Sequence, residues 1–155
     1  MIDRWPSSRA AGRGVSALLL GAFLASPAIA AADNSLTVSN SWFRFIMASR
    51  PAAGYFILTN ASSKPYTLTG ATSPGCGSLM LHKSLQQNGE DQMVMVSSIP
   101  VPAQGAVTFA PGGYHLMCMS PTKDMKVGAK VPVTLSFDGG ATLTQDFVVR
   151  NVSGE

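Results

Sequence analysis

Short apolar stretches alternate with polar, turn-forming residues along most of the chain after residue 35. Nine of them have the length and the β-branched or aromatic content of strands: residues 36–47, 53–60, 66–71, 78–85, 92–97, 106–110, 114–119, 131–137 and 141–149. Residues 99–104 have the composition of a Pro-rich connector, and residues 121–128 have room for one helical turn. Many short strands with regularly spaced turns predict an all-β fold, an antiparallel sandwich or barrel of about nine strands.

The predicted strand at residues 114–119 has an unusual distribution of side chains. Alternate residues of an extended strand point to the same face. One face of this strand therefore carries an imidazole and two thioethers, from His115, Met117 and Met119. The opposite face carries Tyr114, Leu116 and Cys118. The apolar face indicates that the strand packs against a core. The face with an imidazole and two thioethers indicates that the same strand binds a metal.

The dipeptide Asn88-Gly89 is a strong hairpin signal between two predicted strands. With a two-residue loop, the register places His82 opposite Met95 and makes Met93 its diagonal neighbour on the same face, which Met80 also shares. A longer loop, extended by the acidic pair at residues 90–91, would shift this register. The hairpin thus brings a second imidazole close to further thioethers.

The N-terminal 30 residues have the pattern of a secretory signal. Arginines at positions 4, 9 and 13 precede an apolar run at residues 15–24, and residues 28–30 form a small-residue cleavage pattern. The apolar run is shorter than the ~20 residues that span a bilayer, so an uncleaved anchor is the less favoured alternative. We therefore expect export to the periplasm, no stable membrane span after cleavage, and one domain from residue 31 to residue 155.

Charge adds little to this picture. After residue 30 the chain has eight Lys or Arg and seven Asp or Glu residues, a net charge of +1. A chain without a basic patch is not expected to bind nucleic acid or a membrane surface.

The two cysteines, Cys76 and Cys118, would be exported to a compartment that permits disulfides. A bridge between them would close a loop of about 43 residues and contribute roughly 4 kcal/mol in the chain-entropy model. Two buried free thiols, or a redox-active pair coupled to metal transfer, are the alternatives that the sequence leaves open.

The only two histidines combine with two methionines in a recognisable spacing. Ten residues separate His82 from Met93, twenty-one separate Met93 from His115, and one separates His115 from Met117. This H-x10-M-x21-H-x-M pattern resembles the signature of the periplasmic PCuAC family of copper chaperones. The resemblance extends over most of residues 36–149, through the stretches 42–44, 53–60, 81–82, 111–117 and 131–137.

The resemblance implies a cupredoxin-like β-sandwich that binds one Cu(I) ion per chain through His82, Met93, His115 and Met117. Met119 fits a frequent family pattern and is treated as a spare or supporting group. Ligand chemistry agrees, because neutral thioethers favour Cu(I) over harder cations and imidazole suits copper.

The resemblance also implies a metallochaperone that delivers copper by ligand exchange. The implied acceptor is the copper centre of a haem–copper oxidase subunit, as in cytochrome c oxidase. A thioredoxin-like copper chaperone is implied as a second partner protein. Copper storage or scavenging is the alternative that the sequence does not separate from delivery.

Three other functions are less compatible with the sequence. A blue-copper electron-transfer site needs a Cys thiolate as a ligand. Here Cys118 comes after His115 in the chain, and its side chain points to the opposite face of the predicted strand. An enzyme is not expected, because no G-x-S-x-G or H-E-x-x-H pattern occurs and we identify no catalytic residue. A structural β-sandwich without metal would leave the His and Met spacing unexplained.

Overall fold

The computed structural model describes residues 34–87 and 89–154. The predicted signal at residues 1–30 lies outside these residues. The described chain forms ten strands: β1 (Leu36–Arg44), β2 (Ala52–Asn60), β3 (Tyr66–Thr72), β4 (Cys76–Gln87), β5 (Glu90–Met95), β6 (Ile99–Val101), β7 (Gly105–Phe109), β8 (Tyr114–Pro121), β9 (Lys130–Phe137) and β10 (Thr142–Arg150). A short 3-10 turn (Asp138–Gly140) joins β9 to β10.

The tenth strand is the short β6, which lies where the sequence predicted only a connector. Proline lacks the N–H that a central strand needs, so it is tolerated at sheet edges. Pro100 pairs with Thr67 at the edge of the sheet, and its neighbours Ile99 and Val101 are buried in the core. A strand of three residues that contains a proline gives too weak a pattern to be recognised in the sequence.

The strands follow the order β5-β4-β8-β7-β2-β1-β10-β9-β3-β6, with an additional pairing between β8 and β2. Most pairings are antiparallel, as predicted, while β1–β10 and β7–β8 are parallel. The sheet folds over so that β3 packs near β4, which gives two layers around one core. The predicted β-sandwich is therefore confirmed. Among the described residues, no helix has the length and apolar character required to cross a bilayer.

Aromatic side chains fill the space between the layers. Phe56 stacks on Phe109 with ring centroids 4.1 Å apart, and Phe147 lies 5.3 Å from Phe43 and 5.4 Å from Phe56. Burial of such large apolar surfaces is the main stabilising contribution to a sandwich of this size.

Strand β2 lies in close contact with both of its neighbours at Gly54. Gly54 pairs with Phe43 of β1 and with Leu116 of β8. A Cβ atom at this position would lie 2.8 Å from the Phe43 ring and 3.1 Å from the Leu116 Cβ atom. The glycine is therefore required for close packing of the strand that carries the candidate ligands.

The disulfide between Cys76 and Cys118 is present, which selects one of the three alternatives left by the sequence. The two Cα atoms are 5.4 Å apart, and both residues belong to the core. The bridge therefore ties the start of β4 to the inner face of β8.

Candidate metal centre

The two histidines meet across strands β4 and β8. His82 lies directly opposite His115 in the register, and their ring centroids are 5.8 Å apart. Strands β4 and β8 are held in this register by core residues on the reverse face, where Leu81 lies opposite Leu116. The imidazoles therefore face the same side of the sheet, away from the core.

The two methionines of the predicted set lie on the same face. Met117 is two residues beyond His115 and directly opposite Met80. Met93 pairs with Ser84 and is therefore diagonal to His82, which confirms the register predicted from the hairpin. The fold brings the two imidazoles and both thioethers together on three neighbouring strands.

His115 is held in one orientation. Its side chain is only 4% exposed, and its Nδ1 lies 3.2 Å from the carbonyl oxygen of Gly113. A carbonyl only accepts hydrogen bonds, so Nδ1 carries the proton and Nε2 keeps its lone pair. The same carbonyl also accepts the N–H of Ser84 at 3.0 Å, which fixes its own position. Such an outer hydrogen bond is the usual way in which a metal-binding imidazole is oriented.

His82 has a buried nitrogen that lacks a partner. No hydrogen bond reaches its Nδ1 within the described part of the chain. A buried polar atom without a partner is destabilising, and a metal ion bonded there would remove that cost. Burial lowers the pKa of His82 below its ordinary value of 6.5, and the neighbouring His115 lowers it further. The ring is therefore neutral at pH 7 and has a lone pair for a metal.

A groove of about 710 Å3 opens beside these ligands and includes Met93, His115 and Met117 in its lining. Ala53, directly opposite Met117 on β2, contributes a small side chain to its lining. Its far wall is the segment that joins β1 to β2, which contributes residues 46, 50 and 51. The sequence did not predict this wall, because a connecting segment has no periodic pattern. The groove therefore opens onto three of the four predicted ligands.

A cationic and an aromatic side chain, Arg44 and Tyr55, also line the groove. The Arg44 guanidinium carbon lies 5.7 Å from the centre of the Tyr55 ring, and Trp42 packs against Tyr55 at 5.0 Å. Burial raises the pKa of Tyr55 above 10.0, and the Arg44 charge opposes that rise. Tyr55 therefore remains neutral, and the net charge of this wall is positive.

The donor set can hold a soft monovalent ion. Two neutral imidazoles and two thioethers add no negative charge and match the preference of Cu(I) for soft ligands. In residues 34–87 and 89–154, no three His, Cys, Asp or Glu side chains form a cluster able to hold a metal ion. Cys118 lies on the core side of β8 in a disulfide, so it is not available as a thiolate ligand.

Comparison with known proteins gives a family for the chain. Residues 36–149 match the model of the LpqE-like lipoprotein family. The protein Lxx21020 of Leifsonia xyli subsp. xyli is 32% identical over 122 residues, which cover 78% of this chain and 73% of that protein.

Two solved structures share the fold. CuI-DR1885 from Deinococcus radiodurans is 32% identical, with a TM-score of 0.62 over 79% of this chain and 83% of its own. The copper-bound PCuAC domain from PmoF2 is 24% identical, with a TM-score of 0.63 over 76% of this chain and 93% of its own. These similarities confirm the cupredoxin-like β fold and the PCuAC resemblance. The chain belongs to the LpqE-like family, and it shares its fold with the PCuAC domain from PmoF2.

Proposed function

We propose that this protein is a periplasmic Cu(I) metallochaperone that binds one ion through His82, Met93, His115 and Met117. The observation that carries the proposal is the convergence of these four residues on one face of β4, β5 and β8. The copper-bound state of the relatives DR1885 and PmoF2 supports the choice of metal. The protein acts by binding and release and has no catalytic role.

Transfer by ligand exchange follows from the unequal exposure of the ligands. Met93 is 61% exposed, whereas His115 is buried. An incoming ligand can therefore displace Met93 first while the imidazoles still hold the ion. Thioethers bind Cu(I) without the charge of thiolates, which favours release. The proposed acceptor is the copper centre of a haem–copper oxidase subunit, with a thioredoxin-like copper chaperone as the second partner.

The test is a Cu(I) competition titration against a chromophoric chelator under reducing conditions. We expect one tightly bound equivalent, which the double variant H82A/M117A loses. Replacement of Met47, an exposed methionine in the β1–β2 segment, by leucine is the matched control and leaves binding unchanged. Tight binding that survives the double replacement would refute the ligand assignment.

Delivery is tested by mixing the copper-loaded protein with the soluble copper-binding domain of an oxidase subunit. Movement of copper to the acceptor, followed by its absorption spectrum, supports delivery. Retention of copper with an otherwise competent acceptor supports storage or scavenging instead.

A further inference from the structure

Two arginines face the groove beside the proposed ligands. Arg44 ends β1 and Arg50 lies in the β1–β2 segment, and both line the groove together with His115 and Met117. The described residues of the lining include no Asp, Glu or Lys, and neither arginine forms an ion pair within the described part of the chain. Arginine stays protonated at every physiological pH, so this lining carries two positive charges and no negative one. The proposed function gives neither arginine a role.

Binding of copper does not account for these charges. A positive charge near the site repels Cu(I), and the neutral ligand set does not offset that repulsion. Packing accounts for Arg44 in part, because its guanidinium lies over the Tyr55 ring. The exposed Arg50 makes no such ring contact in the described chain. An anionic group that enters the groove is therefore the better explanation of the pair.

The groove also has the composition of a protein–protein interface. Interfaces are enriched in Arg, Met and aromatic residues and depleted in Lys, Asp and Glu. The described lining follows this pattern, with Arg44, Arg50, Tyr55, Met93 and Met117. Ile46 and Met93 are 47% and 61% exposed, and exposed apolar side chains next to charged ones are typical of a surface that a partner covers. An anion that brings its own apolar surface thus matches this lining better than a small hydrophilic anion does.

We propose that the groove is the docking site for an acidic, partly apolar segment of the protein that receives copper. The Asp or Glu side chains of this segment pair with Arg44 and Arg50, and its apolar side chains cover Ile46 and Pro51. The inference rests on the proposed function, because it specifies the chemistry of the acceptor's contact surface. Since Met93 also lines the groove, the docked segment lies beside the ligand that is proposed to leave first.

Docking of this kind acts mainly on the rate at which the two proteins meet. Opposite charges steer the encounter, and the effect weakens as salt screens them. Removal of a charge from the rim of an interface changes the association rate and its salt dependence. The arginines therefore accelerate transfer without holding the metal, and their removal should leave the affinity for Cu(I) unchanged or slightly higher.

A second group of positive charges on the surface provides a matched control. Lys123, Lys126 and Lys130 line a separate depression together with Asp124, and none of the four proposed ligands belongs to it. Lys123 and Lys126 are exposed. The variant K123Q/K126Q therefore removes as much charge as R44Q/R50Q does, but outside the groove.

The first experiment needs no copper and uses the metal-free protein with ¹³C-methyl-labelled methionine and isoleucine. The probe is a short synthetic peptide of glutamate and methionine, compared with the same peptide in which glutamine replaces every glutamate. We expect only the acidic peptide to shift the methyl signals of Ile46, Met93 and Met117, and added salt to reverse the shifts. Met125, buried in the core, is the internal control. A response that is equal for the two peptides, or absent for both, overturns the proposal.

Free glutamate and citrate, added at the same concentration of carboxylate, test the smaller occupant. We expect them to leave these signals in place, because they bring charge without apolar surface. If they shift the signals as strongly as the acidic peptide does, the groove is a site for a small anion and the docking of a protein segment is refuted.

The second experiment follows Cu(I) transfer to the soluble copper-binding domain of an oxidase subunit by stopped flow, over a range of NaCl concentrations. For R44Q/R50Q we expect transfer at low salt to be at least about tenfold slower, with a weaker salt dependence. R50E, which keeps Arg44 on Tyr55, should slow transfer as well and remains informative if the double variant does not fold. The lysine variant should transfer at the normal rate. Weaker Cu(I) affinity of R50E in chelator competition would show that Arg50 supports the ligands, contrary to the proposal.

Failure of the docking site and failure of the proposed function are distinguishable. If the unmodified protein binds no Cu(I), or passes none to the domain, the proposed function fails, while the peptide titration still decides whether the groove binds an acidic segment. If copper is delivered normally but the arginine and lysine variants transfer it at equal rates, delivery stands and the docking site is refuted.

Discussion

His82 of β4 and His115 of β8 lie directly opposite each other, with their ring centroids 5.8 Å apart. The two rings differ in their surroundings. His115 donates its Nδ1 proton to the Gly113 carbonyl, whereas the Nδ1 of His82 is buried and has no partner in the described chain. One imidazole is thus fixed in the metal-free protein, and under the proposed function the other would gain a partner on binding the metal.

Copper binding is expected to depend on pH in a defined window. Protons compete with the metal for imidazole lone pairs, and burial together with His115 lowers the pKa of His82 below 6.5. A lowered pKa moves the competition to lower pH, so the affinity for Cu(I) is constant near pH 7. It then weakens as the pH falls through the lowered pKa of His82, which lies below 6.5.

Chelator competition between pH 4.5 and 8 measures this window. The variant H82M, which replaces the titrating ligand by a thioether, is the matched control and should show a shallower dependence. An affinity that is flat down to pH 4.5 would contradict ligation by histidine.

Replacements of Met93 and of His115 are expected to differ in their effect on the stability of the protein, although both weaken Cu(I) binding. Met93 is 61% exposed, so M93L should weaken Cu(I) binding while the free energy of unfolding of the metal-free protein stays within about 0.5 kcal/mol of the original. His115 is 4% exposed and hydrogen-bonded, so H115A should weaken binding and also lower the free energy of unfolding by about 1–3 kcal/mol. Denaturant unfolding and copper titration on the same samples check both. Equal losses of stability would contradict the difference in burial.

The disulfide is expected to stabilise the fold without entering the copper chemistry. The variant C76A/C118A opens a bridge between residues 42 positions apart in the sequence. In the chain-entropy model it should lower the free energy of unfolding by about 4 kcal/mol. At temperatures where the variant remains folded, it should still bind one equivalent of Cu(I), because both cysteines lie on the core side.

Thermal unfolding with and without Cu(I) tests whether the disulfide contributes to stability and not to copper binding. Unmodified protein whose bridge has been reduced and whose thiols have been blocked should match the destabilised variant. A variant that is folded but no longer binds copper would show that the bridge positions Met117 directly.

The sequence predicted those parts of the site that depend on local geometry. Alternation along β8 placed His115 and Met117 on one face, and the Asn88-Gly89 turn gave the register of His82 with Met95, which the structure confirms. The opposition of His82 and His115 could not be predicted without the family resemblance. Thirty-two residues lie between the two histidines, and no turn signal sets the register between their strands.

Core packing on the reverse face determines that long-range register. Leu81 opposite Leu116 and the bridge from Cys76 to Cys118 align β4 with β8, and a one-residue slip would turn one of the two imidazoles to the core face of the sheet. The strand predicted at residues 36–47 ends at Arg44 in the structure, and residues 46, 50 and 51 beyond it line the groove. The sequence missed this role because irregular segments have no hydrophobic period.

A single methyl group added at Gly54 is expected to disturb the candidate metal centre from the core side of the sheet. The added Cβ atom of G54A would lie 2.8 Å from the Phe43 ring and 3.1 Å from the Leu116 Cβ atom, distances that require the Phe43 ring to shift and Leu116 to give way by a few tenths of an ångström. Overpacking of this kind should lower the free energy of unfolding by about 1–3 kcal/mol. Because Leu116 lies between His115 and Met117 on β8, the shift should also weaken Cu(I) binding.

Gly70 offers the matched control, because it lies in β3 with open space where a Cβ atom would stand. The variant G70A should therefore leave both stability and copper binding nearly unchanged. Denaturant unfolding and Cu(I) competition on the two variants compare a tight glycine with an open one in the same sheet. If G54A were as stable as the original protein, the packing of β2 against β8 would be looser than the structure requires. The ligand strand would then owe its position to the disulfide and the β4 pairing alone.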